Sequence, residues 1–325
     1  MACGREGSDA AFPKPGASPS PEAAPPQRLL ADLLLVGVAA IWGWTFVLVK
    51  ESLQEVPTFT FLFYRFALAL GFLLLLFGRR LRGGAAGPPL RTWLQGALIG
   101  LVLFLGYWFQ TWGLVYTTAT NSGFITGLSV VWVPVLGALL FRERVPGAVW
   151  LGAGLSALGL ALIVFGGAPS PALLDLDWDW DWNVGDGLTL LCAIAFALQI
   201  LLVSRFTRPE NHVPILVAQI GVVALLSGVG MLLLEGPGFP QGAAAWKGIG
   251  ITGLFATALA LWVQTRFQPL STAGRTAILF SSEPVFAALF GYWLLGERLV
   301  GGQWLGAALI IGAMLVSQRP SGRRG

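Results

Sequence analysis

The sequence predicts an all-α integral membrane protein of ten transmembrane helices, built as two inverted five-helix repeats. Three observations predict it: a composition too apolar for a soluble fold, a succession of bilayer-length apolar stretches, and a match of the chain with itself. Of 325 residues, 11% are charged, 55% are hydrophobic and 14 are Trp, and the mean hydropathy is +0.73. An ordinary globular domain carries about 25% charged residues. So few charges cannot cover a soluble surface, which excludes a soluble enzyme, a disordered chain and a disulfide-rich secreted module. The net charge of +4 lies in short basic clusters between apolar runs, a pattern that sets membrane orientation, so no nucleic-acid partner is expected. Cys3, Cys192 and the lone His212 form no ligand cluster, so neither metal nor cofactor is expected.

Residues 1–27, rich in Pro, Gly and Ser, cannot bury enough apolar surface to order themselves and read as a disordered cytoplasmic leader. Apolar stretches then recur at 29–49, 57–77, 93–115, 119–141, 148–165, 187–206, 213–234, 248–267, 272–295 and 302–317. Each has roughly the 17 to 25 residues that cross the hydrocarbon of a bilayer. The division that follows is a first repeat over 28–167, an acidic Trp-rich external loop over 168–186, a second repeat over 187–318, and a basic cytoplasmic tail over 319–325. With both ends in the cytoplasm, the 20 basic residues split 16 inside, 3 outside (Lys50, Lys247, Arg298) and one, Arg65, within a span. The positive-inside rule selects that orientation, in the cell (inner) membrane. The alternating acids of 174–182 match no calcium loop and read as an interfacial segment.

Shifting the chain by 154 residues aligns Gln110-Thr111 with Gln264-Thr265 (110 + 154 = 264), Thr118-Ala119 with Thr272-Ala273, and Trp150-Leu151-Gly152-Ala153 with Trp304-Leu305-Gly306-Ala307. Polar and Trp matches in register indicate a duplicated unit. Five spans is an odd number, so the second copy enters the membrane from the opposite side, the arrangement of many secondary transporters.

Trp42-Gly43-Trp44-Thr45-Phe46 through Lys50, Pro57 with Arg65, Thr120 through Leu128, Gly185-Asp186-Gly187, Ser282-Glu283-Pro284-Val285-Phe286 and Gly296-Glu297-Arg298-Leu299 resemble the motifs of EamA-type members of the drug/metabolite transporter superfamily. The resemblance covers residues 30–318 and implies a ten-helix exporter or exchanger of small metabolites, with the substrate open among amino acids, nucleosides, sugars and drugs. One departure is Val130, where the family pattern expects a proline; Pro134 stands one helical turn later.

Ionisable and strongly polar side chains within spans are costly and are site candidates by default. Arg65 and Glu283 both fall near the midplane by count of residues from the span ends. The shift pairs Arg65 with Gln219, Ser129 with Glu283, Gln110 with Gln264, and Thr45 with Gln199, and these eight are expected to meet in a polar cavity between the repeats. Among the aromatics Trp42, Trp44, Tyr64, Tyr107 and Trp108, the preferred cavity residues are Trp44 and Tyr107, next to the polar positions. Three roles stay open for the charged pair: Arg65 takes a substrate carboxylate while Glu283 takes a cationic group, Glu283 carries a coupling proton, or the two form a buried ion pair. Pro134 and Pro284, at comparable places in the two repeats, are hinge candidates.

The leading expectation is a secondary transporter working by alternating access on a small-molecule substrate, with the lipid bilayer as surroundings. The alternatives are a membrane enzyme acting on lipid-linked substrates, which would need a nucleophile with a base or a metal cage, and a non-transporting scaffold or sensor. No Gly-rich loop ending in Gly-Lys-Ser/Thr occurs, so ATP is not expected as the energy source.

Overall fold

The computed structural model describes residues 25–82, 87–165, 183–295 and 301–317. Among the described residues the regular structure is entirely helical. In chain order the helices are α1 Pro25–Ser52, α2 Thr58–Arg82, α3 Leu90–Tyr116, α4 Ala119–Gly127, α5 Ser129–Phe141, α6 Gly147–Phe165, α7 Val184–Phe206, α8 His212–Gly230, α9 Ala243–Ile251, α10 Ala260–Phe267, α11 Ala273–Phe280, α12 Glu283–Leu295 and α13 Gly301–Ser317. Seven helical stretches are long and apolar enough to cross a membrane, and Gly147–Ile163 and Gly301–Ser317 are shorter apolar helices. Residues 1–24 of the expected leader, the acidic run 174–182, Glu297-Arg298 and the tail lie outside the described residues, whereas the last three leader residues, 25–27, belong to the first helix. Several helices start ahead of the expected limits. α1 begins at Pro25, and α7 begins at Val184 because Asn183 and Asp186 close a capping box there.

Two expected spans are broken helices. The stretch 119–141 is α4 and α5 meeting at Leu128, and 272–295 is α11 and α12 meeting at Ser281-Ser282. The breaks are repeat-related, since 128 + 154 = 282. At the second, Ser281 Oγ donates to the Ile278 carbonyl at 2.7 Å and Ser282 Oγ to that of Leu279 at 2.6 Å. Pro284 has no N–H for the Phe280 carbonyl and its ring crowds it, so α11 ends there. Pro134 lies inside α5, six residues past its break, and does not cause it. A segment of wider i to i+5 turns, Thr252–Leu259, joins α9 to α10.

Small residues set the closest helix contacts, as expected where no water drives helices together. A methyl group on Gly159 would lie 2.7 Å from the Gly306 carbonyl oxygen, and one on Gly306 2.5 Å from that of Gly159, so α6 and α13 touch backbone to backbone. Along α3, Gly113 meets Gly185 and Thr189 while Gly106 meets Phe196, so α3 and α7 run antiparallel. Lys50 reaches the last carbonyls of α3, so α1 runs parallel to α3 and opposite to α7. Leucines such as Leu75, Leu139 and Leu233 are exposed on the outside.

Candidate functional site

A cavity lies between the helices. Its wall takes Trp42, Thr45, Phe46 and Val49 from α1, Arg65 from α2, Leu103, Tyr107, Gln110 and Leu114 from α3, and Thr126, Gly127 and Ser129 from the α4–α5 break. The second half of the chain supplies Phe196, Gln199 and Ile200 from α7, Leu261 and Gln264 from α10, and Phe280 and Glu283 from the α11–α12 break. Adding 154 turns 42 into 196, 45 into 199, 46 into 200, 107 into 261, 110 into 264, 126 into 280 and 129 into 283, so fourteen of these nineteen residues form seven repeat-related pairs.

Hydrogen bonds fix most of the polar wall. Trp42 Nε1 donates to the Ala256 carbonyl at 2.9 Å and Thr45 Oγ1 to that of Trp42 at 3.0 Å. Arg65 Nε donates to Thr257 Oγ1 at 2.8 Å, and its guanidinium carbon stands 4.7 Å from the Tyr107 ring centroid, a cation–π contact. Gln110 Nε2 donates to Thr126 Oγ1 at 3.3 Å. Gln264 Nε2 donates to Gln199 Oε1 at 3.0 Å and to Gln268 Oε1 at 3.0 Å. Gln268 in turn donates to Ser204 Oγ and to the Ile200 carbonyl, both at 2.7 Å. Glu283 opens α12, half-buried at the cavity wall. Among the described residues it forms no ion pair with Arg65; away from the cavity wall, Asp32 of α1 pairs with Arg275 of α11.

The structure thus brings Thr45, Arg65, Tyr107, Gln110, Ser129, Gln199, Gln264 and Glu283 to one cavity and leaves Trp44 and Gln219 out of it. Cavity residues on α1 follow 42, 45, 46 and 49, one helical face; Trp44 is on the other and 38% exposed. Gln219 is fully buried behind the wall, donating to Thr265 Oγ1 at 2.9 Å. Tyr64 donates to the Gly238 carbonyl at 3.2 Å, and Trp108 stacks on Trp112 at 5.9 Å, both off the wall. Sequence reasoning passed over Phe46, Thr126, Phe196 and Phe280, and ranked Trp42 below Trp44. The repeat shift carries the signal for all five, through the pairs 42/196, 46/200 and 126/280. Among the described residues no three His, Cys, Asp or Glu side chains converge to hold a metal.

Residues 29–165 and 183–318 each match the EamA-like transporter family, and the two matches begin 154 residues apart (183 − 29). The chain is 34% identical over 292 residues to an "Uncharacterized transporter" of Archaeoglobus fulgidus, covering 89% of this chain and 86% of that protein. It is 27% identical over 290 residues to the "Uncharacterized inner membrane transporter YedA" of Escherichia coli K12, covering 87% and 88% respectively. A solved structure described as "Crystal structure of protein" superimposes with a TM-score of 0.69 at 20% identity, over 90% of this chain and 97% of that one, so the two share a fold.

Proposed function

The chain belongs to the EamA-like transporter family, and from that premise we propose that this membrane transporter is a secondary carrier that moves a small organic solute through the cavity by alternating access. In this reading the thirteen helices make ten spans, with α4–α5, α9–α10 and α11–α12 each crossing once, in two inverted repeats. Both chain ends face the cytoplasm, as the 16 to 3 split of basic residues favours, and the membrane is the inner one, as for the relative from Escherichia coli.

The observation that carries this proposal is the repeat-related cavity wall. A site lined by the same positions of two oppositely oriented copies faces one compartment when the copies hold one pair of conformations and the other compartment when they exchange them. The chemistry of the wall suits a zwitterion such as an amino acid: Arg65 for the carboxylate, Glu283 for the ammonium group, and the Trp42, Tyr107, Phe196 and Phe280 rings for an apolar side chain. Glu283, with no ion-pair partner among the described residues, also serves as the proton carrier that couples flux to a pH gradient. The family and the names of the relatives point to transport and away from lipid chemistry.

The test is a thermal-shift screen of amino acids and related metabolites on purified protein, then uptake into proteoliposomes with and without a pH gradient. Saturable uptake of one solute class, abolished by Arg65→Gln, is expected. Failure of every screened solute to bind or move, with the protein folded and correctly inserted, would sink the proposal.

A further inference from the structure

The two copies diverge where the second one touches Arg65. Residues 98–105 are regular helix within α3, whereas their mates in the second copy, Thr252–Leu259, are wound into wide i to i+5 turns. Leu98, Ile99 and Leu103 stand where the second copy has Thr252, Gly253 and Thr257 (98 + 154 = 252). Each change does something local. Thr252 Oγ1 donates to the Gly248 carbonyl at 2.7 Å and Thr257 Oγ1 to that of Thr252 at 2.9 Å, so the hydroxyls serve carbonyls in the widened segment. A methyl at Gly253 would lie 3.0 Å from the Arg65 carbonyl oxygen, so any larger residue would push α2 back by a few tenths of an ångström at the turn that carries Arg65. Thr257, fully buried, then accepts from Arg65 Nε, and the neighbouring Ala256 carbonyl accepts from Trp42 Nε1. Wide turns inside helices are rare and recur at functional sites.

We infer that the widened segment Thr252–Leu259 is a clamp from the second repeat that orients two cavity residues of the first, with Thr257 as the positioning residue for Arg65. By occupying Nε and leaving the guanidinium against Tyr107, Thr257 turns the terminal nitrogens to the cavity as a fixed pair of donors for a planar anion. The cation is therefore tied to the second repeat rather than to Glu283, and the carboxylate selectivity of the site rests on a residue that does not line it. This rests on the carrier reading for its functional half only.

The test uses the full chain in nanodiscs, labelled with ¹⁵N-arginine, the Arg65 Nε–H resonance being identified by its loss in Arg65→Lys. Thr257→Val keeps shape and removes the acceptor; Thr257→Ser keeps the acceptor. Thr257→Val is expected to speed hydrogen exchange at that Nε–H by about tenfold, the loss of one hydrogen bond to a charged group. It is also expected to raise the KM for the solute found in the proteoliposome assay by about the same factor with the maximal rate kept, and Thr257→Ser to restore both. Unchanged protection in Thr257→Val overturns the clamp, and lost protection with unchanged KM overturns its role in binding. If the unmodified protein moves no solute, the carrier reading and the binding role fall together, while the exchange rates still decide whether Thr257 holds Arg65.

Discussion

Gly43 is the residue at which α1 lies against the start of α12, and a single methyl group tests how tightly that contact holds the cavity wall. An alanine Cβ at Gly43 would stand 2.5 Å from the Glu283 carbonyl oxygen, 3.0 Å from the Ala287 nitrogen and 3.3 Å from Phe286 Cβ. Ordinary heavy-atom contact begins near ~3.5 Å, so the two backbones must part by about 1 Å. Neither the Glu283 oxygen nor the Ala287 nitrogen can swing aside as a side chain would. Overpacking of this kind costs about 1–3 kcal/mol, set against a gain of about 1 kcal/mol from replacing Gly by Ala in a helix. Gly37, two turns earlier, has nothing within 4 Å of the same methyl and receives the propensity gain alone. The difference between Gly43→Ala and Gly37→Ala therefore isolates the clash, and Gly43→Ala is expected to be the less stable by about 1–3 kcal/mol. Equilibrium unfolding in mixed SDS micelles reads it. Because Trp42 and Thr45 flank Gly43 on the cavity wall, solute affinity is expected to fall with stability. Stabilities of the two variants within about 0.5 kcal/mol of each other would refute the close packing of α1 on α12.

Three other perturbations have defined outcomes. Glu283→Gln, at a residue with no ion pair to lose among the described residues, is expected to fold and exchange solute downhill while losing accumulation driven by a pH gradient in proteoliposomes; an unfolded variant would instead assign Glu283 to the architecture. Glu235 accepts from the Phe59 and Thr60 nitrogens, each at 2.8 Å, and from Thr60 Oγ1 at 2.9 Å, capping the start of α2, so Glu235→Ala is expected to cost about 1–2 kcal/mol in the same unfolding assay. Lys50 Nζ caps the end of α3, donating to the Thr117 carbonyl at 2.7 Å and also to that of Leu114; Lys50→Met is expected to cost about 1.5–3 kcal/mol, with Lys50→Arg retaining most of it, and equal stability of all three proteins would show the cap to be idle.

The helices were legible because a bilayer demands a run of apolar residues of fixed length, and that demand shows in any window of the sequence. Of their breaks, only the one before Pro284 carried a signal, the proline itself. Leu128 is apolar and carries no turn signal, and at Ser281-Ser282 two hydroxyls take backbone carbonyls, a local exchange that hydropathy does not register. Rotational phase was the other loss. On a helix apolar all round, only the polar residues mark the inward face, and on α1 that marker is Thr45. Trp42, three residues before it, shares its face, whereas Trp44, adjacent in sequence, is turned about 100° away. Gln219 marks a further limit, since the shift by 154 gives depth and helix but not which neighbour a side chain meets; its amide is held by Thr265 while Arg65 reaches Thr257.

The duplication also organises contacts that hydropathy could not rank. Lys50 joins the Leu114 carbonyl, 64 residues on, and Gln268 joins Ser204, again 64 residues apart. Adding 154 turns 50 into 204 and 114 into 268, so the same two positions tie the first helix of each repeat to its third. Since α1 and α7 run in opposite directions, the ties lie at opposite ends of the cavity: Lys50 follows the lining residue Val49 and reaches the lining residue Leu114, whereas Ser204 and Gln268 stand one helical turn beyond Ile200 and Gln264. Their chemistry has diverged. At the Lys50 end a cation sits on the carbonyl end of α3, where the helix dipole favours it. At the Ser204 end the tie is a neutral amide and hydroxyl, continuous through Gln264 with the Gln199 side chain on the wall. In the proposed carrier these two ends would open in turn, and they are held by unlike bonds: a charged donor on backbone carbonyls at the Lys50 end, and neutral amides continuous with the cavity wall at the other.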